Sequence, residues 1–231
     1  MDAGLCETVS LWPPPSPLRP IHGAGVTAAG TLPHVQPPIT DKEMKQDTID
    51  RTRHWKVIES EYVYRRPWLT ARRERLELPD GRIVPEYYVL DYPEWVNVIA
   101  ITTEGDFVME RQYRHGAGVT CYELPCGVAE EGETPLQAAQ RELEEETGYT
   151  GGEWSEVMTI SANPGSMSNM THCFLARGVE KTTSPHLDST EELTVHLLSR
   201  DTVRHLLETN QILQALMAAP LWRYFSLMEK P

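Results

Sequence analysis

The chain of 231 residues is short of several things, and each shortage removes a class of protein. It holds only four cysteines, Cys6, Cys121, Cys126 and Cys173, with no CxxC pair and no cysteine/histidine cluster at zinc spacing. A zinc module and a disulfide-stapled secreted scaffold are therefore excluded, and reduced thiols in a cytoplasmic protein are expected. No apolar run is long enough to span a bilayer, so no membrane partner is expected. The N-terminus has neither the basic start nor the apolar core of a secretory signal. Basic residues are in deficit as well: 21 Lys and Arg stand against 34 Asp and Glu, a formal net charge of −13. Such a chain repels DNA and anionic surfaces, so a nucleic-acid partner is not expected either. A phosphorylated small molecule remains open, provided that cations screen it from the protein's own carboxylates.

What is present is unevenly distributed. Residues 1–43 are crowded with proline, from Pro13-Pro14-Pro15 to Pro37-Pro38, and show little apolar periodicity. They read as a disordered tail or as a leader upstream of a natural start at Met44; a targeting peptide fits less well, because Arg19 is the only arginine and no basic amphipathic pattern is present. Residues 44–93 carry alternating β-formers, 56–58, 61–64, 75–78, 82–84 and 86–90, with a turn signal at Pro79-Asp80-Gly81. This predicts a small antiparallel sheet. Residues 94–231 form the main domain. Strands are expected at 95–101, 107–114, 122–125, 157–161, 172–176 and 193–198. Helices are expected at about 135–146, 200–208 and 210–224, the last interrupted by Pro220. Strands and helices mix without βαβ alternation, so the class is α+β with a mixed sheet.

The strongest helix carries the chemistry. Thr134 caps it, Gln137 completes a capping box, Pro135 suits its first turn and Gly148 ends it. At about 100° per residue, Glu142, Glu145 and Glu146 fall within one arc, with Ala138 among them; Leu136, Ala139 and Leu143 form a separate apolar stripe. Three carboxylates at i, i+3 and i+4 repel one another unless a cation sits there, and hard oxygen donors suit Mg²⁺, or Mn²⁺ in its place. A solvated acidic face is the ordinary alternative.

The surroundings decide between these. Gly127, five residues, Glu133, seven residues, then Arg141-Glu142-Leu143-x-Glu145-Glu146-x-Gly148-Tyr149 fills the pattern G-x5-E-x7-R-E-U-x-E-E-x-G-U, with U a bulky apolar residue. From average composition those nine positions would match by chance roughly once in a billion starting points. The segment resembles the Nudix box, Tyr149 standing where an aliphatic residue is usual. The resemblance implies a Nudix fold, a mixed-sheet α/β/α sandwich, and hydrolysis of a nucleoside diphosphate linked to another group. It implies that Glu142 and Glu146 ligate the metal with Glu145 beside them, and that the backbone carbonyl of Cys126 joins them. Arg141 would orient the acids and Glu133 would support them.

Three features outside the box resemble the ADP-ribose (ADP-sugar) pyrophosphatase branch. Pro164 follows Gly148 by sixteen residues and opens the loop Pro164-Gly165-Ser166-Met167-Ser168-Asn169, although some relatives are acidic where Asn169 stands. Glu110-Arg111-Gln112-Tyr113-Arg114 resembles the strand whose last arginine contacts substrate phosphates; a guanidinium suits that role. Thr190-Glu191-Glu192-Leu193 resembles a segment with a mobile catalytic glutamate, matched best by Glu191 with Glu192 as the alternative. The early sheet resembles one that often exchanges across a homodimer and stacks adenine on an aromatic, here Trp55 or, behind it, Trp68. The resemblance thus implies a nucleoside diphosphate-sugar substrate. Another nucleotide substrate, such as GDP-mannose, a dinucleoside polyphosphate or a damaged triphosphate, is the first alternative. A non-catalytic nucleotide sensor is the second, though it would be expected to carry broken box carboxylates.

Overall fold

The structure is a computed structural model that describes residues 54–187 and 191–228. The expectations for residues 1–43 lie outside the described residues. The chain divides into two units, Met1–Asp50 and Arg51–Pro231, and only the second is described below.

Three strands come first: β1 (Lys56–Arg66), β2 (Leu69–Glu77) and β3 (Ile83–Leu90), an antiparallel sheet in the order β1-β2-β3. The Pro79-Asp80-Gly81 turn lies where expected. Gly81 takes a positive φ of 84° there, which only glycine adopts without strain. The sequence segments 56–58 and 61–64 are one strand rather than two: Glu59, Ser60 and Glu61 keep pairing with β2, and the register shifts fall at Val57/Glu59 and Tyr62/Tyr64. All eleven residues of β1 are exposed.

The second sheet has seven strands. These are β4 (Trp95–Thr102), β5 (Phe107–Arg114), β6 (Val119–Glu123), β7 (Cys126–Val128), β8 (Tyr149–Ile160), β9 (Thr171–Lys181) and β10 (Leu193–Leu198). The path runs β10-β5-β4-β9-β8, with β6 on β5 and β7 on β4; β4 and β9 are parallel and the other pairs antiparallel. Three helices complete it: α1 (Pro135–Thr147), α2 (Arg200–Glu208) and α3 (Ala215–Met228). Strand alternation divides the core in two. Ile99, Ile101, Phe107 and Met109 pack with α2 and α3 residues on one face; Val96, Val98, Ala100 and Val108 pack with α1 on the other. The result is the mixed-sheet α/β/α sandwich, α+β in class, preceded by the small antiparallel sheet. No helix among the described residues is long and apolar enough to cross a membrane.

Three local expectations need correction. β8 starts at Tyr149, well before 157, since Gly151 and Gly152 adopt positive φ and Gly152 sits so close to Arg177 O that a Cβ would lie 2.7 Å away. The last helix begins at Ala215, not 210, because Asn210 turns the chain at φ 56°. Pro220 does not interrupt it. A proline cannot donate to the carbonyl four residues back, here Leu216 O, and the buried Asn97 Nδ2 donates to that oxygen instead at 2.9 Å. The Pro164 loop joins the two sheets: Leu90 N donates to Ser166 O at 2.7 Å and Ser168 Oγ to Asp91 Oδ1 at 2.9 Å. Asn169 is buried and donates to Pro93 O.

Candidate active site

β4 and β5 pair only at Ala100–Val108 and Ile101–Phe107 and then diverge. β7 takes the vacated edge of β4 and β6 that of β5. A cavity of about 550 Å³ opens beside this divergence, with walls from β4, β5, β7 and α1.

α1 is fixed at both ends as its sequence requires. Thr134 and Gln137 form the reciprocal capping box. Gly148 ends the helix at φ 76°, and a Cβ there would lie 2.2 Å from Thr183 O. The helix docks differently from the simplest reading of its stripes. Leu136 is exposed, while Ala138 is packed in the core with Ala139 and Leu143. The two alanines let the helix lie close on the sheet, and this buries Glu142 and Glu146 on the same face, with 8% and 6% of their surface exposed. Glu145 is half-buried.

Arg141 organises this group. Its guanidinium carries five N–H donors. They meet Glu133 at 2.9 and 3.1 Å, Glu142 Oε1 at 3.0 Å, Glu145 Oε2 at 2.9 Å and Val128 O at 2.9 Å. The arginine is thus a hub that ties three acids of the box to β7. Glu146 is held separately: its Oε2 accepts from Cys126 N at 2.8 Å. Gly127 completes the cradle. A Cβ on it would lie 2.1 Å from the Glu142 carboxyl carbon, so only glycine leaves that carboxylate its place.

Burial makes these acids hold protons tightly. Desolvation, with repulsion from Glu145 and Glu191, pushes Glu142 up to about 7 despite Arg141. Desolvation and the nearby Glu110 push Glu146 up to about 10. The Cys126 thiol is also driven well above its ordinary value, first by burial and then by Glu146, Glu110 and Glu123, so the thiolate needed for redox or zinc chemistry is suppressed.

A divalent cation fits this donor set. Buried carboxylates in mutual repulsion are relieved by a hard cation, and oxygen donors are what Mg²⁺ prefers. No three His, Cys, Asp or Glu side chains among the described residues stand in ready-made ligand geometry. The reason is visible, since Arg141 engages Glu142 and Glu145 while Cys126 N–H engages Glu146.

Glu191 lines the cavity, and its charge acts on Glu142, Glu146 and Glu110; Glu192 is exposed and does not line it. Arg114 lines the cavity too, but it is already engaged: Nε lies 2.9 and 3.1 Å from the Glu123 carboxylate and Nη2 2.5 Å from it. Trp68, 84% exposed, lies on the cavity, whereas Trp55 does not line it and packs edge-on against Tyr87 at 5.9 Å.

Two buried acids escaped the sequence reading, Glu110 on β5 and Glu123 on β6, which sit directly opposite one another in register and are each 2% exposed. Strand parity held the signal. Val108, Glu110, Gln112 and Arg114 share one face of β5, and Val108 on that face is core.

Comparison with known proteins matches this geometry. The family model described as "NUDIX domain" covers residues 92–218. The chain belongs to the Nudix family. It is accordingly a Nudix hydrolase by family and fold, with all box residues present. A second model, "Nucleoside diphosphate sugar hydrolase N-terminal domain", covers residues 55–90, which is β1 to β3. Among relatives, an ADP-ribose pyrophosphatase of Bacillus subtilis (strain 168) is 31% identical over 175 residues, 75% of this chain and 94% of that protein. A methanol dehydrogenase activator of Bacillus methanolicus is 34% identical over 126 residues, 54% of this chain and 68% of that protein. A solved structure described as an ADP compounds hydrolase shares the fold with a TM-score of 0.67 at 22% identity, over 76% of this chain and 94% of that one.

Proposed function

We propose that this Nudix hydrolase cleaves the diphosphate of ADP-ribose or a related ADP-sugar in a reaction that needs Mg²⁺, with Mn²⁺ able to replace it, releasing AMP and a sugar phosphate. The observation that carries this is the pair of buried carboxylates, Glu142 and Glu146, on a cavity that Arg114, Glu191 and Trp68 also line. The resemblance to an ADP-ribose pyrophosphatase over nearly all of that protein's length supports the choice of substrate.

Glu142 and Glu146 would hold the cation, with Glu145 beside them and the Cys126 carbonyl as a backbone donor. The bound cation supplies neutralisation of phosphoryl charge and acidifies water. The protein does the rest by position. Arg114, kept rigid by Glu123, offers positive charge to the diphosphate. Arg141 fixes the acids of α1. Glu191 accepts a proton from the attacking water as its oxygen bonds to phosphorus, and the bridging P–O bond breaks with its electrons going to the leaving phosphate. Trp68 and Trp95 both line the cavity; Trp68, the more exposed, is assigned to stacking the adenine, and Trp55 the same duty across a subunit boundary.

Residues 44–93 serve as a dimerisation sheet and residues 94–231 as the hydrolase domain. The exposed Val57, Tyr62, Val63 and Tyr64 of β1 suit a second copy of the chain, giving a homodimer. The free thiols Cys121, Cys126 and Cys173 suit a reducing, cytoplasmic setting.

The test is a substrate panel of ADP-ribose, GDP-mannose, a dinucleoside polyphosphate and an oxidised nucleoside triphosphate, each with Mg²⁺ and with EDTA. The reading requires ADP-ribose or another ADP-sugar to be turned over fastest, with AMP among the products. Preference for a guanine nucleotide, or turnover that survives EDTA, would overturn it.

A further inference from the structure

The cavity is lined from both faces of the second sheet, and its two ends differ in chemistry. Val96 belongs to the α1 side, whereas Trp95 and Asn97 alternate with Ile99 and so face α3. Thr171 stands directly across from Trp95 in the parallel ladder. Gln214 precedes the first residue of α3 and holds its first turn, since Gln214 O accepts from Met217 N and Ala218 N at 3.0 Å. With Leu216 and Met217 these residues line the α3 end of the cavity. None of the six side chains carries a charge, so none offers a counter-ion to a diphosphate.

This end has unpaired oxygens instead. Asn97 Oδ1, Thr171 Oγ1 and Gln214 Oε1 are all shielded from solvent and have no hydrogen-bond partner. Asn97 and Thr171 are 1% and 2% exposed. The asparagine cannot be turned to relieve this. Its Nδ2 donates to Leu216 O at 2.9 Å, and because a carbonyl only accepts, the amide oxygen must face away. Buried polar groups are ordinarily paired, and packing alone gains nothing from three unpaired oxygens on one wall.

We propose that the α3 end of the cavity is the subsite for the substrate's terminal sugar, with Asn97, Thr171 and Gln214 receiving its hydroxyl groups and Trp95 covering its ring. What the three oxygens lack is donors. A sugar supplies several O–H donors and a C–H face for an aromatic ring. Adenine supplies one amino group and otherwise ring nitrogens that accept, which this end cannot serve while the Asn97 N–H is engaged by Leu216 O. Phosphate oxygens accept only and are excluded for the same reason. The three oxygens lie beneath the cavity wall, so the sugar reaches them through rotamer changes, an ordinary adjustment on binding. A few convergent polar groups on an otherwise apolar wall then fix its orientation. Adenine at Trp68, the diphosphate beside Arg114 and the sugar under α3 would each meet the chemistry that suits it.

The inference rests on the ADP-sugar reading, and the experiment separates the two. AMP release by the full chain with Mg²⁺ is measured on ADP-ribose and on the methyl ester of ADP at its terminal phosphate, which keeps the esterified diphosphate but has no sugar beyond it. The quantity read is the ratio of kcat/KM for ADP-ribose to kcat/KM for the methyl ester. Thr171→Val and Gln214→Met are each expected to lower this ratio about tenfold, the loss of one hydrogen bond to a substrate hydroxyl, and Thr171→Ser to keep it near wild type. A merely structural role would lower both kcat/KM values alike. An unchanged ratio in either variant, or a wild-type ratio near one, overturns the proposal. Wild type that releases AMP from neither compound overturns the ADP-sugar reading and the subsite with it. Should Thr171→Val not fold, Gln214→Met must lower the ratio by itself, and an unchanged ratio there is equally fatal.

Discussion

The two sheets of this chain spend their side chains in opposite ways. β1 exposes all eleven of its residues, tyrosines and valines included, while seven of the eight residues of β4 are buried. In the first sheet apolar groups face water; around the second, acids face the interior, Glu110 and Glu123 on its strands and Glu142 and Glu146 on α1, all below a tenth exposed. Each inverts the usual distribution of apolar and charged groups. Under the proposed function the exposed sheet receives a second copy of the chain and the buried acids a divalent cation.

The comparison can be broken most severely at the acids. Glu146→Gln is expected to lower the rate of AMP release by about a thousandfold while the protein stays folded. Circular dichroism beside the activity assay checks this. A folded variant with near-normal turnover at saturating Mg²⁺ would remove Glu146 from the chemistry. Next comes Gly127→Ala. The added methyl meets the mobile end of Glu142 rather than backbone, so the carboxylate moves and the fold survives. A drop of roughly 10- to 100-fold in kcat/KM with a melting shift of a few degrees is expected. A large melting shift with intact kcat/KM would show the glycine to be structural instead.

The pH dependence sharpens the same side. Burial holds Glu142 up at about 7, and burial with repulsion from neighbouring acids holds Glu110 and Glu146 well above the ordinary 4.5. Acids raised in this way stabilise the fold when protonated. Their contribution is full below about pH 4.5 and is lost as the pH rises through each folded value. The metal-free melting temperature should therefore fall from pH 5 to pH 9, by roughly 5–10 °C, and Mg²⁺ should flatten the slope. Scanning calorimetry across that range measures it; a flat metal-free profile would show that the acids are not strained.

Smaller effects are expected in the first sheet. Trp68→Ala should raise KM by roughly tenfold with little change in kcat, as loss of a stacking surface does. Val63→Lys should change monomer stability by no more than about 0.5 kcal/mol and convert a dimer to a monomer in light scattering. A dimer that persists would place the interface elsewhere.

The sequence made some of this plain and hid the rest for physical reasons. The Nudix box was legible because its spacing is tied to one helix and its caps; Thr134, Gln137 and Gly148 act as their types require. The parallel pairing of β4 with β9 was not legible, since it joins residues more than seventy positions apart. Pro220 misled because the acceptor it leaves empty is served by Asn97, far away in the chain. Glu110 was hidden in the charged stretch Glu110-Arg111-Gln112-Tyr113-Arg114, which reads as surface, and Glu123 in an extended segment too short to show which way it faces. Parity with the core residue Val108 marks the inward face of β5, and the register that sets Glu110 opposite Glu123 carries it to β6. Trp55 and Trp68 could not be ranked for the cavity without the turn between β1 and β2 that carries Trp68 to it.

The central claim is that the carboxylates of α1 form a cation-dependent hydrolytic centre for an ADP-sugar. Its most direct test is the rate of AMP formation from ADP-ribose as free Mg²⁺ is raised from an EDTA-buffered zero to millimolar concentration. A rate that is negligible at zero Mg²⁺, rises to saturation and collapses again on added EDTA is predicted. AMP formation that is independent of Mg²⁺, or absent at every concentration, would contradict the account.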